Sequence, residues 1–440
     1  MPSQPHIASE RNGRSSGRML HSALRAFVLV SGVPLGFYGS SALAVSVDWQ
    51  QSYNNSGRTG QNRHETILSA ANAAGLQLEW ARSFAGEVRA FVLNDHYVIA
   101  RVPSDDGQNL DLWYINYATG EMAWRVDTGP DVAGANGTLA TGDKLIFSEC
   151  GLVDAVGYKY SGICAYRKRD GRKAWQFSNP CNCTPEANVV TPLVYLSNGV
   201  VIFGYFNGGT GGKEYVLAAR AATGQILGAY QTGGIGSLGN APITGGTEKV
   251  FFDCGGNVCA VDHRNGNFLW KSNVGAPIGA FSADRNGRLY ATLCNGPAGL
   301  IALDAVTGAP LWSYGGSGCS QAPAAVAGNR VYFAAADGNV RALDVGTGAE
   351  IWSAAPGTAS SASLANGVMY VEGLSGAPAA SAYDATTGAL LWSSPSHSAS
   401  HHPPPVIVDG TVYVANGACG NLCAYHLPVA GAHRPSFSRH

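Results

Sequence analysis

Short apolar runs separated by tight turns recur along the chain, and they share one unit. Its clearest copy is the apolar run Ala342–Asp344, followed by the turn Thr347-Gly348 and then by Trp352. The run is typical of a strand, glycine supplies the positive φ that a tight turn needs, and the tryptophan begins the next strand. Two further strands with a turn precede the unit, as Arg330–Phe333 and Asp337–Asn339 show. The pattern predicts four short strands per unit.

The tryptophan position of this unit occurs eight times, with a period of about 40–45 residues. Four strands at such a period predict an eight-bladed β-propeller, an all-β fold of four-stranded blades. We expect each tryptophan to wedge between neighbouring blades as a large apolar filler. The positions are Trp80, Trp124, Trp175, Gly228 in a degenerate copy, Trp270, Trp312, Trp352 and Trp392.

The last unit, from about residue 401 to Leu427, contains only three predicted strands. At the other end of the chain, Leu76–Trp80 reads as a strand with no strands before it. We therefore expect this N-terminal strand to complete the last blade, which would close the ring and remove free sheet edges.

The unit Ala-x-Asp-x-x-Thr-Gly-x-x-x-Trp resembles the repeat of the PQQ-like propeller family, which includes pyrroloquinoline quinone (PQQ) dehydrogenases and BamB-type outer-membrane assembly lipoproteins. Asp48-Trp49, Ile67–Asn72 and Leu76–Trp80 are similar to the opening of quinoprotein alcohol dehydrogenases, and the resemblance covers residues 48–428. The resemblance implies the propeller fold. If the protein is an enzyme of this family, the resemblance implies PQQ with calcium as its cofactor. Those dehydrogenases carry two adjacent cysteines over the cofactor, whereas the nearest arrangement here is Cys181-Asn182-Cys183. We find no motif for their catalytic aspartate and calcium ligands.

Composition agrees with many short strands and narrows the choice of partner. Charged residues make up 13% of the chain, against about 25% in ordinary soluble domains. Glycine is abundant, at 58 of 440 residues, as expected where tight turns are frequent. The formal net charge of −1 gives no basic surplus for nucleic acid and no acidic surplus typical of a disordered chain.

Residues 1–44 read as a secretory signal peptide, with Met19 as an alternative start. Arginines precede an apolar stretch from Ala26, and Ala42–Ala44 matches an A-x-A cleavage site. The apolar stretch is too short and too broken by Gly and Pro to span a membrane. No cysteine lies near the cleavage site, which argues against a lipid anchor. We expect an exported protein, periplasmic or extracellular, with a lead-in at 45–75, a propeller at 76–428 and a tail at 429–440.

Ten cysteines in an exported chain predict disulfides. Six of them fall near the ends of the second and third strands of three blades, so each pair would staple one hairpin. Their spacings fit hairpin disulfides better than zinc sites. The predicted pairs are Cys150–Cys164, Cys254–Cys259 and Cys419–Cys423, with Cys294–Cys319 and Cys181–Cys183, or another pairing of these last four, for the rest.

The long insertions are predicted to share one face of the propeller with these cysteines. Insertions concentrated on one face mark a binding side, although drift in tolerant loops gives the same pattern. The insertions are Pro103–Leu110, Gly151–Gly162, Asn207–Lys213, Gly373–Ala380 and Ser178–Asn188. The candidate ligand-binding residues at the channel mouth on that face are Glu186, Asn188, Gln321, His401 and His402, with His397 nearby.

Three functions compete at this point. The first is a non-enzymatic binding or scaffold protein that holds a protein or glycan partner through the disulfide-rich face, with no cofactor and no metal. The second is a PQQ-dependent dehydrogenase with an atypical site. The third is a hydrolase or lyase that uses the polar residues at the channel mouth, which nothing specific supports beyond a plausible pocket. Those residues include a His-His-Pro-Pro-Pro run that begins at His401. Such a run is able to hold a metal or position a base, and is more commonly a solvated loop stiffened by proline.

Overall fold

The chain folds into eight antiparallel sheets that follow one another along the sequence, as the eightfold repeat predicts. In each sheet we name the strands A to D from the innermost to the outermost. The predicted all-β, eight-bladed propeller is confirmed. The computed structural model describes residues 49–132, 139–153, 157, 159–177, 188–189, 193–196, 198–207, 213–232, 243–245, 249–296, 298–316, 320–335, 337–355, 359–400 and 403–428.

The strands of the first four blades are, from A to D, as follows. Blade 1 contains Ala90–Asn94, Tyr97–Pro103, Asn109–Asn116 and Met122–Pro130, and blade 2 contains Leu139–Thr141, Leu145–Val153, Lys159–Arg167 and Lys173–Phe177. In blade 3, strand A has two pieces, Asn188–Val189 and Val194–Leu196, and Val200–Asn207, Lys213–Arg220 and Ile226–Gln231 follow. Blade 4 contains Ile243–Gly245, Lys249–Asp253, Asn257–Asp262 and Phe268–Asn273.

The remaining blades follow the same order. Blade 5 contains Ile278–Ala283, Arg288–Leu293, Ala298–Asp304 and Pro310–Gly315, and blade 6 contains Ala325–Ala327, Arg330–Ala334, Val340–Asp344 and Glu350–Ala354. Blade 7 contains Ala359–Ala365, Val368–Gly373, Ala380–Asp384 and Leu390–Ser393, with the short strand Gln61–Asn62 parallel to its strand A. Blade 8 contains Val406–Val408, Thr411–Gly417, Gly420–His426 and Gln77–Arg82. A 3-10 turn, Ala73–Gly75, precedes this last strand.

Blade 8 is assembled from both ends of the propeller sequence. Strand D, Gln77–Arg82, pairs antiparallel with strand C, Gly420–His426, through Gln77 opposite His426 and Trp80 opposite Ala424. The expected completion of the last blade by the N-terminal strand is therefore confirmed. The pairing closes the ring by a strand exchange, so the first and last blades cannot separate without breaking a sheet.

The tryptophans lie at the junctions between blades and bridge them in one repeated way. Each indole N–H donates to a backbone carbonyl of the next blade, and at every one of these junctions except that of Trp392 the turn glycine of the next blade packs against the ring. The donor and acceptor pairs are Trp80 to Tyr117 (3.0 Å), Trp124 to Lys168 (2.7 Å), Trp175 to Ala221 (2.8 Å), Trp270 to Ala305 (3.3 Å), Trp312 to Val345 (3.0 Å), Trp352 to Ala385 (3.2 Å) and Trp392 to Leu76 (3.1 Å).

The junction between blades 3 and 4 is built differently, because Gly228 stands at the tryptophan position. A Cβ on Gly228 would lie 3.8 Å from the backbone nitrogen of Gly266, and a Cβ on Gly266 would lie 3.7 Å from the carbonyl oxygen of Ala229. The two backbones therefore approach each other directly. Glycine replaces the indole here by close backbone packing, so the degenerate repeat does not interrupt the ring.

Three disulfides join strand B to strand C in the described part of the chain, at blades 2, 4 and 8. They are Cys150–Cys164, Cys254–Cys259 and Cys419–Cys423, with Cα atoms 5.7, 5.9 and 6.2 Å apart. These are the three hairpin pairs expected from the spacing. Cys294 is also disulfide-bonded. Cys181, Cys183 and Cys319 lie outside the described residues, so Cys294–Cys319 and Cys181–Cys183 remain predictions.

We expect the loss of Cys150–Cys164 to cost more stability than the loss of Cys254–Cys259. The first pair closes a chain segment of 14 residues and the second one of 5. Chain-entropy arguments give about 3 kcal/mol for the first and about 2 kcal/mol for the second. The measurement is denaturant unfolding of the two double Cys→Ser variants under non-reducing conditions. An equal or reversed order would show that these staples do not act mainly through the unfolded chain.

Candidate functional site

The two ends of the propeller differ in how much chain they carry. The A–B and C–D turns, including the Thr-Gly turns, share one end, which we call the turn face. The B–C turns and the loops from strand D to the next strand A share the other end, which we call the loop face. The three described disulfides lie beside B–C turns, as do the insertions at residues 104–108 and 374–379. Among the described residues, the disulfides and the insertions within the blades therefore lie on the loop face.

The segment Trp49–Asn62, which we call the axial segment, runs past the inner strands in blade order. It contacts strand A of seven blades near the turn face, so it circles the propeller axis. The contacts, from blade 1 to blade 8 without blade 4, are Trp49 N to Leu93 O (2.9 Å), Thr141 N to Gln50 O (2.7 Å), Gln51 Nε2 to Tyr195 O (3.0 Å), Ala283 N to Gly57 O (2.7 Å), Val326 N to Thr59 O (2.9 Å), Leu364 N to Gly60 O (2.7 Å) and Asn62 Nδ2 to Ile407 O (2.7 Å).

We expect Gly57→Ala to loosen the axial segment. A Cβ at this position would overlap the carbonyl oxygen of Ala283, whose own N–H donates to the carbonyl of Gly57. The segment must then shift away from blade 5, at a cost of about 1–3 kcal/mol. Thermal unfolding measures this loss, with Gly315→Ala in the same blade as the control, because a Cβ there meets no atom within 4 Å. Equal melting temperatures for the two variants would show that this contact does not hold the segment.

Within the axial segment, residues Tyr53–Gly60 form a closed loop, which we call the axial loop. The N–H of Gly60 donates to the carbonyl of Tyr53 at 3.0 Å, and Asn55 Nδ2 donates to Thr59 Oγ1 at 2.6 Å. Tyr53, Asn54 and Arg58 all have positive φ, at 61°, 73° and 53°. Three non-glycine residues in the left-handed region within one short loop store strain, which is typical of functional positions.

The axial loop places a phenol and a guanidinium together near the axis. Arg58 is 6% exposed, and its Cζ lies 5.5 Å from the centroid of the Tyr53 ring. Burial lowers the pKa of Arg58 to about 10, because charge is disfavoured away from water. Burial likewise raises the pKa of Tyr53 well above its usual range, with the nearby Glu372 adding to the rise. Both groups therefore sit in a poorly solvated environment.

Glu372, on strand B of blade 7, supplies a buried carboxyl close to Tyr53. It is 3% exposed, and Ser361 Oγ on the neighbouring strand A donates to its Oε2 at 2.7 Å. Burial raises the pKa of Glu372 to about 8, and the hydrogen bonds from Ser361 and Ser360 oppose this only in part. A carboxyl with this pKa keeps its proton at neutral pH and is able to donate a hydrogen bond.

Four buried charged residues occupy one equivalent position of strand B. The count starts at the strand B residue that pairs with the motif aspartate of strand C, or with the residue that replaces this aspartate. The shared position is the fifth residue in this count. Arg101, Glu149, Asp253 and Glu372 hold this position in blades 1, 2, 4 and 7, and all are buried. The repeat therefore brings these groups to one level of the ring, on the loop-face half of the strands.

Two of these residues form an ion pair between blades 1 and 2. Arg101 Nη1 lies 3.4 Å from Glu149 Oε2, and the side chains are 1% and 3% exposed. Burial raises the pKa of Glu149, and Arg101 pulls it in the opposite direction. Removing one partner of such a pair leaves an uncompensated buried charge, which is strongly destabilising. Glu149 also directly precedes Cys150, so the first disulfide and the ion pair support the same hairpin.

The structure does not bring the predicted site residues into one described cluster. Glu186, His401 and His402 lie outside the described residues. Asn188 begins a two-residue piece of strand A opposite Phe206, and Gln321 is exposed in the loop between blades 5 and 6. The prediction that these residues form a site on the loop face is untested by the described part of the chain.

His397 has a structural role. The N–H of Ala399 donates to its Nδ1 at 3.3 Å, and its Nε2 lies 3.1 Å from the carbonyl of Gly373. An Nδ1 that accepts a hydrogen bond leaves the ring proton on Nε2, which then donates to Gly373. With both nitrogens engaged, the ring ties the blade 7 B–C turn to the loop that follows the blade.

Sequence reasoning missed the axial residues and the buried charges of strand B. Arg101, Glu149 and Glu372 each stand in an otherwise apolar strand, and a charged residue in such a run is a signal that could have been used. Tyr53 and Arg58 offered no comparable signal, because the axial segment contacts the inner strands mainly through its backbone.

The described residues do not fit a calcium–PQQ centre. They bring together no group of three or more His, Cys, Asp or Glu side chains that could hold a metal ion. Calcium takes six to eight oxygen ligands, usually with several carboxylates. The buried carboxyls of strand B are instead held by Arg101, by serine and by backbone N–H groups. We therefore derive no chemical step through this cofactor.

Comparison with known proteins identifies one fold, but the similar proteins have different functions. A protein-family profile described as "Outer membrane protein assembly factor BamB" matches residues 49–240, 254–373 and 337–426. No curated protein sequence matches the chain. We find no helix among the described residues that has the length and apolarity to cross a membrane.

Two solved structures with different functions illustrate this likeness in fold. The chain is 15% identical to BamB from Moraxella catarrhalis, with a TM-score of 0.56, and the alignment covers 82% of this chain and 99% of that one. It is 14% identical to quinohemoprotein alcohol dehydrogenase from Comamonas testosteroni, with a TM-score of 0.66, covering 90% and 83%. At such identities the likeness shows the fold alone, because one propeller architecture hosts many functions.

Proposed function

The chain belongs to the family described as outer membrane protein assembly factor BamB, and we propose that it is an exported, non-enzymatic scaffold that binds a protein partner through its loop face. The observation that carries this proposal is the asymmetry of the ring. The axial segment contacts the inner strands of seven blades at the turn face, so a partner that approaches the axis meets covered strands there and elaborated loops at the other end. Loops held by a rigid scaffold are a common place for binding.

The disulfides support the same choice of face. Among the described residues, three B–C hairpins carry a disulfide, each joining two strands at the end from which the loops project. A loop whose base is fixed loses less conformational entropy on binding than a free loop. Such bonds persist in oxidising compartments, which agrees with export to the periplasm or the exterior. The small net charge of −1 favours a partner recognised by shape and hydrogen bonds over one recognised by charge alone.

Site-specific photo-crosslinking tests the face. A photoreactive phenylalanine replaces Gln321 or Asp106 on the loop face, and Arg285 on the turn face serves as the matched control, since all three positions are exposed. We expect a discrete protein adduct from intact cells with the first two variants and none with the third. Adducts only from Arg285 would contradict the proposal, and a glycan in place of a protein in the adduct would change the class of partner.

A second measurement addresses the dehydrogenase reading. Purified protein is mixed with PQQ and calcium, and alcohol-dependent dye reduction is followed together with quinone absorbance. We expect neither stoichiometric quinone binding nor turnover. Turnover at one quinone per chain would replace the scaffold with an enzyme, whatever the crosslinking shows.

A further inference from the structure

Arg58 carries a buried charge that no described acidic side chain balances. Its residue is 6% exposed, and the contact described for its guanidinium is the face of the Tyr53 ring, 5.5 Å away. Among the described residues we find neither an ion pair nor a hydrogen bond from this group, whereas Arg101, the other buried arginine near the axis, has Glu149. A cation–π contact offsets only part of the desolvation of a guanidinium. The remaining free-energy cost of desolvating this guanidinium must therefore be offset by another interaction.

The surroundings of Arg58 leave room for that compensation. Tyr53 lies among the inner strands, where burial perturbs its phenol, and yet the residue remains partly exposed. Asn54 and Asn55 in the axial loop are also partly exposed. Part of the axial loop is therefore accessible to solvent next to the buried guanidinium of Arg58.

We propose that Arg58 and Tyr53 form a site for a small oxyanion, a carboxylate or a phosphate, on the propeller axis. The guanidinium offers paired N–H donors in the planar geometry that such anions match, and the phenol offers a further O–H donor. Glu372, the acid whose charge acts on Tyr53, keeps its proton at neutral pH and so does not repel the anion. The left-handed backbone at Tyr53 and Arg58 holds the two side chains on one short loop before the anion arrives.

Ligand-dependent stability tests the site. Melting temperatures are measured in Tris-chloride with added sodium phosphate or sodium acetate, at ionic strength matched with sodium chloride. For the natural chain we expect one of the two anions to raise the melting temperature saturably, by about 2–5 °C at a hundredfold excess over Kd. Which anion acts separates the phosphate source from the carboxylate source. No rise above chloride with either salt would overturn the proposal.

Variants separate a specific site from a general salt effect. Arg58→Gln is expected to abolish the anion-specific rise, and Arg58→Lys to weaken binding about tenfold, because an ammonium lacks the fork. Arg285→Gln, which removes an exposed arginine of the turn face, is expected to keep the full rise. An equal rise in Arg58→Gln and the natural chain would overturn the proposal.

If Arg58→Gln does not fold, the decisive measurement is the 31P line width of phosphate, or the 13C line width of labelled acetate, with the natural chain and Arg58→Lys. Equal broadening by both proteins would then exclude the site.

The melting temperature without added phosphate or acetate tests independently whether the charge of Arg58 is uncompensated. If the charge of Arg58 is uncompensated, Arg58→Gln in chloride buffer is expected to melt at or above the temperature of the natural chain. A clear loss of stability in chloride, together with an undiminished response to the anions, would show that Arg58 is satisfied within the protein.

Discussion

Replacement of Trp270 by alanine is expected to lower the free energy of unfolding by about 3–5 kcal/mol, the usual cost of truncating a buried aromatic side chain. Trp270 is 8% exposed and bridges blade 4 to blade 5. Its indole N–H donates to the carbonyl of Ala305 at 3.3 Å, and Gly308 packs against its ring. The substitution removes the hydrogen bond and leaves a cavity between two sheets. Unfolding in guanidinium chloride, followed by circular dichroism, measures the loss.

The neighbouring residue gives a matched control for this prediction. Leu269 is on the same strand and is 41% exposed, so Leu269→Ala is expected to change stability by no more than about 0.5 kcal/mol. Similar losses for Leu269→Ala and Trp270→Ala would contradict the role of the indole as an inter-blade bridge. The natural glycine at position 228 does not weaken the argument, because at that junction the two backbones have closed the distance that a ring would fill.

Glu372→Gln is expected to stabilise the protein at high pH and to leave it nearly unchanged near pH 4.5. The folded carboxyl has a pKa of about 8, against an ordinary value of 4.5. Between these values the folded state binds one proton more than the unfolded state, so the stability of the natural chain falls as pH rises through this window. Glutamine has no proton to lose. The advantage of the variant therefore grows from pH 4.5 to pH 8 and reaches on the order of 3–4 kcal/mol.

Melting temperatures of the two proteins across this pH range test the prediction. The control is Glu121→Gln, which changes an exposed side chain at a C–D turn and is expected to alter stability little at any pH. A constant difference between Glu372→Gln and the natural chain at pH 5 and pH 8 would show that the carboxyl does not retain its proton on folding. The hydrogen bond from Ser361 persists in the variant, since a glutamine oxygen accepts it equally well.

The repeat made the fold predictable because its signals are local. A Thr-Gly turn and a tryptophan four residues later lie within one short stretch. Most blades can therefore be recognised from their own sequence, without knowledge of the neighbouring blades. The shortage of one strand in the last blade then required the N-terminal strand, and the pairing of Gln77 with His426 is the result. The hairpin cysteines followed from the same register, since Cys150, Cys254 and Cys419 each lie close to a B–C turn.

The axial segment could not be predicted in this way. Its contacts join residues far apart in sequence, such as Asn62 and Ile407, and most of them are made by backbone atoms whatever the side chain. Glycines at positions 57 and 60 read as ordinary turn residues until the inner strands are seen beside them. The equivalence of Arg101, Glu149, Asp253 and Glu372 also needed the strand register.

The order of residues in the repeat thus settles the architecture, the closure of the ring and the hairpins that carry the described staples, because each depends on short-range periodicity. The burial of Arg58 and Glu372, their common approach to Tyr53, and the closing of the turn face by residues 49–62 depend on the ring being complete. Residues 49–62 take their place beside the axis only when the ring has formed, because they contact strand A of seven different blades. Desolvation there, which no local pattern encodes, shifts the pKa of these groups.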